Sequence, residues 1–141
     1  MDETHVCWTD SVDDSVQRVP KTGGAIEQLG AWQHNTTAIY VASAGVFWAN
    51  RGSFDDGQIM RWSASEGVVE EVTALDQPMQ ITVDNTRIWW LSDGDDALYA
   101  RDIAGGPVHH WGFLDTPRSL AGRVATVARS PARRRRPSGR R

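Results

Sequence analysis

The sequence predicts an all-β protein assembled from repeated four-stranded sheets, and three observations carry that prediction. Tryptophan-bearing apolar segments recur at spacings of 40 and 42 residues: Val6-Cys7-Trp8, Val46-Phe47-Trp48 and Ile88-Trp89-Trp90. Each is followed by the same succession of turns and short alternating segments. The apolar runs are short and rich in Val, Ile and Trp, while Asp, Ser and Gly fill the gaps between them. Repetition on this scale identifies the architecture before any single element does.

Each element of the period has its own physical reason. The tryptophan strand, as in Ile88-Trp89-Trp90-Leu91, is apolar on both faces and therefore reads as a central strand buried on both sides. An acidic turn follows at Asp13-Asp14, Asp55-Asp56-Gly57 and Asp95-Asp96, with residue types that tolerate positive φ. The next strand carries an arginine in every period, Arg18, Arg61 and Arg101. A glycine turn at Gly23-Gly24, Gly67 and Gly105-Gly106 leads into an outer strand: Ala25–Leu29, Val68–Val72 and Pro107–Trp111. A final strand, Ala38–Val41 or Gln80–Val83, precedes the next tryptophan strand. Small sheets that are apolar on both faces must stack face to face, which is how the blades of a β-propeller bury their cores. Trp8, Trp48 and Trp90 are then the wedges between blades, each able to remove about 150–250 Å² from water. Recurrence makes Arg18, Arg61 and Arg101 structural residues first, with a ring of charge on one face as the alternative.

Val6-Cys7-Trp8-Thr9-Asp10, with Val16-Gln17-Arg18-Val19-Pro20 and Gly23-Gly24, resembles the repeat of YWTD-type propellers and is similar to related bacterial propeller repeats. Cys7, Phe47 and Trp89 stand where the tyrosine of that motif would be, and only Trp8-Thr9-Asp10 keeps its last three letters. The resemblance implies a binding scaffold and transfers no catalytic residue. The expected organisation is a partial, open propeller over residues 1–117, with blade pieces 1–29, 36–74 and 78–113, and an Arg-rich disordered tail over 118–141. Two blades are complete and the first lacks a strand. Closed propellers have about 4–8 blades, so a truncated fragment of a larger propeller is expected. Met1 falls one period before Val41, which suggests a valine codon used as a start. Pro117-Arg118-Ser119-Leu120 matches Pro78-Met79-Gln80-Ile81 before the pattern stops. The arginine-rich end is either a natural basic tail or a shifted reading frame.

Charge divides the chain in the same place. Residues 1–117 hold all 18 acidic residues and six basic ones, whereas 118–141 hold nine arginines and no acid. No apolar run reaches the 18 residues of a membrane span, and Met1–His5 does not look like a signal peptide. The chain is cytoplasmic at face value; a parent that is exported stays open. A single cysteine, Cys7, excludes an internal disulfide framework.

The sequence offers chemistry only weakly. Arg133–Arg136 could neutralise phosphates, but no aromatic residue is interleaved to stack bases, so nucleic acid is not the expected partner. Asp93-Gly94-Asp95-Asp96 resembles part of a calcium loop but lacks the remaining ligands, and its counterparts in the other periods read as ordinary turns. Neighbouring His109 and His110 point to opposite faces of a strand and cannot share a metal. Cys7 reads as a core residue, and the sequon at Asn35 means little without a leader. No catalytic residue, cofactor or metal site is expected. The expected partner is a protein or small ligand, with self-association through open blade ends as a further outcome. The candidates for a ligand-binding face are the inter-strand loops: Glu3, Ser43, Asp84, Asn85 and Thr86. The function expected is a non-enzymatic interaction scaffold; the alternatives are a fragment of a lactonase-like propeller hydrolase or lyase, or a degraded gene product.

Overall fold

The computed structural model describes residues 4–53, 55–112 and 120, and within them the chain is all β. Eleven strands run in chain order among these residues: β1 (His5–Asp10), β2 (Ser15–Pro20), β3 (Glu27–Gly30), β4 (Thr36–Ala42), β5 (Gly45–Asn50), β6 (Gly57–Ser63), β7 (Gly67–Leu75), β8 (Pro78–Val83), β9 (Arg87–Ser92), β10 (Ala97–Asp102) and β11 (His109–Trp111). They form three antiparallel sheets, β1-β2-β3, β4-β5-β6-β7 and β8-β9-β10-β11, each in sequence order and stacked face to face. The arrangement is an open propeller arc of one three-stranded and two four-stranded blades.

The turns explain the strand ends. Asp14 and Asp96 occupy equivalent places in the β1–β2 and β9–β10 turns and both have positive φ, 47° and 49°. Gly23 and Gly24, like Gly105 and Gly106, also have positive φ. After each pair two further residues pass before the chain meets its neighbour. Consequently β3 begins at Glu27 and β11 at His109, later than the expected Ala25 and Pro107. Pro107, which has no N–H to give a ladder, stands just outside.

Two cores lie between the blades. The first joins Val16 and Leu29 of blade 1 to Val46, Trp48 and Met60 of blade 2. The second joins Phe47, Ala49 and Ile59 of blade 2 to Ile81, Ile88 and Trp90 of blade 3. Alternation sends Trp48 and Trp90 back toward the preceding blade and Phe47 forward. Both tryptophans are 0% exposed. Trp8 lies on the face of β1 opposite to Cys7 and Val16, where no preceding blade is described, and is only half-buried. Its neighbour on that face, Val6, is 48% exposed. At the other end, Trp89, Leu91, Leu98 and Ala100 form a third cluster on the outward face of blade 3, and Leu120 packs against it. Leu120 is the sequence match of Ile81, which packs on blade 2 in the same manner. The rest of the basic segment 118–141 lies outside the described residues, as does Glu3.

Register separates the three arginines. Arg18 pairs with Cys7 and Arg61 with Phe47, so both face the following blade. In blade 3 the partner of Trp89 is Ala100, while Arg101 pairs with Ile88 and points back toward blade 2.

Candidate functional site

The β4–β5 and β6–β7 turns project from the same end of blade 2, and Arg18 of blade 1 reaches toward them. Between them is a groove of about 800 Å³. Val41, Ala42, Ala44 and Val46 form apolar parts of its lining, and Ser43, Ser63 and Ser65 bring hydroxyl groups. Gly45 makes the first turn possible. Its φ is +137°, and a Cβ there would lie 2.2 Å from the carbonyl oxygen of Trp62. The cross-strand neighbour of Trp62 is Val46, so the indole belongs to the face that meets blade 1.

Two guanidinium groups line the groove, each held by carboxylates. The Arg18 carbon sits 4.4 Å from the Trp62 ring centroid, a cation–π contact. Its Nε donates to Glu27 at 2.7 Å. Arg61 donates from Nε to Glu71 at 2.5 Å, pairs through Nη2 with Glu66 at 2.7 Å, and reaches the carbonyl of Ala44 at 3.5 Å through Nη1. Burial would lower the pKa of Arg61, but the bonds and charges of Glu71 and Glu66 outweigh it and move the pKa upward. Arg101 comes from blade 3 to the same Glu71, donating to its carbonyl and lying 3.6 Å from its carboxylate. The Glu71 side chain is 7% exposed and is thus shared by guanidiniums from two blades. The recurring arginines therefore act in the seams between blades.

The expected loop residues separate into two groups. Ser43 is exposed at the groove, and Thr4, next to the undescribed Glu3, also lines it. Asp84, Asn85 and Thr86 form the β8–β9 turn at the same end of the sheets but do not line the groove. Asp84 is spent on its own loop. It accepts hydrogen bonds from the backbone N–H of Thr86 and of Arg87, both at 2.7 Å, and from Trp89 Nε1 at 2.9 Å. Partial burial would raise its pKa, but these donors outweigh burial and lower it, so the carboxylate stays ionised. Asn85 and Thr86 are exposed. Sequence patterning alone does not mark Trp62, Ser63 or Ser65 as site residues. The one local signal was the Arg61-Trp62 pair, and nothing in one period announces that Arg18 of another will lie on that indole.

The opposite end of the sheets carries the acidic turns. Asp10 caps its own turn by accepting from the N–H groups of Val12 and Asp13 at 2.9 and 3.3 Å. Among the described residues no group of three or more His, Cys, Asp or Glu is disposed to hold a metal ion. His109 and His110 are exposed on the outer strand, where His110 stacks on Tyr99 with centroids 5.3 Å apart.

The chain matches no family model and no curated protein. It is similar to a chain in the crystal structure of the nidogen/laminin complex, with a TM-score of 0.61 over 76% of its residues at 16% identity. That neighbour is a β-propeller. At this identity the likeness establishes the fold alone. The chain spans 43% of the neighbour's length.

Proposed function

We propose that the chain is part of a larger β-propeller of YWTD-like kind that serves as a non-enzymatic interaction scaffold, with the groove between blades 1 and 2 as its binding surface. One observation carries this reading. The seams between the blades follow one plan, with a tryptophan facing backward and an aromatic or aliphatic side facing forward, and the Trp8 face of blade 1 is a third copy of the tryptophan-bearing half. A sheet face built for a neighbouring blade fits a ring longer than three. On the same reading the repeats occupy residues 1–117 and the Arg-rich segment 118–141 follows them, with Leu120 the one described residue past that limit and packed on blade 3. The crystallised neighbour is a complex between two proteins by its own description, which supports partner binding as the use of this scaffold.

A screen of immobilised proteins and peptides tests the reading, run with the chain itself and with Ser43→Arg and Ala64→Arg, which fill the groove. The expected result is a partner retained by the parent chain and lost by both filled variants. Equal retention by all three would place binding elsewhere, and turnover of an ester or lactone by the parent chain would replace the scaffold with an enzyme.

A further inference from the structure

We propose that Arg18 makes the groove a recognition site for a single carboxylate carried on an otherwise uncharged ligand with apolar and hydroxyl-compatible surface. The inference rests on the scaffold reading above and gives it a ligand chemistry.

The two arginines that line the groove differ in how many of their donors are already used. Arg61 spends Nε, Nη1 and Nη2 on Glu71, Ala44 and Glu66. Arg18 spends only Nε, on Glu27. Both of its Nη groups lack a hydrogen-bond partner among the described residues, although its side chain is only 19% exposed. The plane of this guanidinium is fixed twice, by Trp62 beneath it and by Glu27 at its edge. Ordering is thus complete before a ligand arrives, which removes part of the entropic cost of binding. A guanidinium held in this way presents an end-on fork whose complement is a pair of coplanar oxygens, as in a carboxylate.

Charge narrows the class further. Arg18, Arg61 and Arg101 are matched by Glu27, Glu66 and Glu71, so the seam is close to neutral. Residues 1–117 are strongly acidic as a whole, and that field repels a polyanion. One carboxylate can be held by a local fork against such a field, whereas a polyphosphate or nucleic acid meets it with every charge. The remaining walls, Val46 and Ala64 beside Ser43 and Ser63, suit an uncharged body. A volume of about 800 Å³ accommodates a small molecule or a few extended residues.

The test is ¹⁵N NMR on the full chain, reading the Arg18 Nε–H and Trp62 indole N–H signals. The probes are isovalerate against isovaleramide, the peptide Ac-Ala-Val-Asp-Val-Ala-NH₂ against its Asn counterpart, and inorganic phosphate. At least one acid is expected to shift both signals, with its amide roughly tenfold or more weaker. A response to isovalerate identifies a free acid as sufficient, and a response to the peptide alone identifies an acidic side chain of a partner. Arg18→Gln is expected to abolish the effect. Glu27→Gln, which keeps Arg18 and removes its competing carboxylate, is expected to tighten binding severalfold and stands as the test if Arg18→Gln does not fold. Equal binding of amides or phosphate, shifts confined to other arginines, no response below about 10 mM, or indifference to Glu27→Gln would overturn the proposal. If the acids fail while the groove-filling variants still lose a protein partner, the carboxylate chemistry falls and the scaffold stands.

Discussion

Arg51 and Asp93 occupy the same place in consecutive blades and are paired with each other across the seam, Nη2 to Oδ2 at 2.9 Å. The backbone N–H of Arg51 donates to Asn35, and that of Asp93 donates to Gln77, both at 3.0 Å. Asn35 and Gln77 are themselves equivalent, and both have positive φ. A repeated backbone bond thus pins each inter-blade link. Arg51 adds a side-chain strap by also donating to Gln77 Oε1 at 2.7 Å.

Arg51→Ala is therefore expected to destabilise the fold by about 0.5–1.5 kcal/mol, most of it from the lost bond to Gln77. The ion pair is 38% and 47% exposed at its two side chains, so solvent screens it. Coupling between Arg51→Ala and Asp93→Ala should stay below about 1 kcal/mol and shrink as salt is added. Urea denaturation of the four proteins of the cycle measures both numbers.

The two buried tryptophans differ in one atom's fate. Trp48 Nε1 donates to Gln33 Oε1 at 2.8 Å, and Asn50 Nδ2 uses the same oxygen. In blade 3 the residue corresponding to Gln33 is Leu75, and the buried Trp90 Nε1 has no partner among the described residues. Gln33→Leu should leave two buried donors unpaired and cost about 1–3 kcal/mol or more. Leu75→Gln gives Trp90 an acceptor while removing apolar contact, so its net effect should fall within about 1 kcal/mol. A downfield shift of the Trp90 indole proton, with slower exchange, would report the new bond; an unchanged signal would contradict it.

What the sequence revealed follows from the length scale of each feature. Strand order, turn chemistry and the buried roles of Trp48 and Trp90 are written locally, in alternation and in residues that tolerate positive φ, and they recur three times. The place of Arg101 was not legible, because register depends on pairing. Arg18 and Arg61 lie 11 and 14 residues beyond Cys7 and Phe47, since the loop after β5 is longer, and counting from arginine to arginine hides the slip that leaves Arg101 beside Ile88. Trp8 shows the other boundary. Its sequence is that of a wedge, but the burial of a wedge depends on the blade that receives it. The groove belongs to two blades at once, so no single period contains it.

The turn at Gly45 should be intolerant of any side chain. A substituted residue meets both an unfavourable φ and the Trp62 carbonyl, and Gly45→Ala is expected to cost about 1–3 kcal/mol. Gly67 also has positive φ, 72°, but has open space around its missing Cβ. Gly67→Ala should accordingly cost about 1 kcal/mol, the φ penalty without the clash. Thermal melts of the two variants separate the contributions; equal losses would show that the Trp62 contact does not matter.

Tyr99 gives the fold a high-pH edge. Its ring stacks on Trp90 with centroids 5.6 Å apart, and its hydroxyl donates to Asp95. Partial burial, together with the bond to Asp95 and the negative charge of Asp95 and Asp76, pushes its pKa up from 10.0 to about 12. A phenol whose folded pKa lies above its unfolded value favours the folded state fully while both forms are neutral. That advantage begins to fall near pH 10 and is gone as pH passes about 12. Stability should therefore decline across this window, and Tyr99→Phe should flatten the decline while losing the hydrogen bond at every pH. Titration of phenolate absorbance in the folded protein should show a step near pH 12 that disappears in Tyr99→Phe. If that step lies near pH 10 instead, the Asp95 contact does not hold the proton and the predicted pH dependence goes with it.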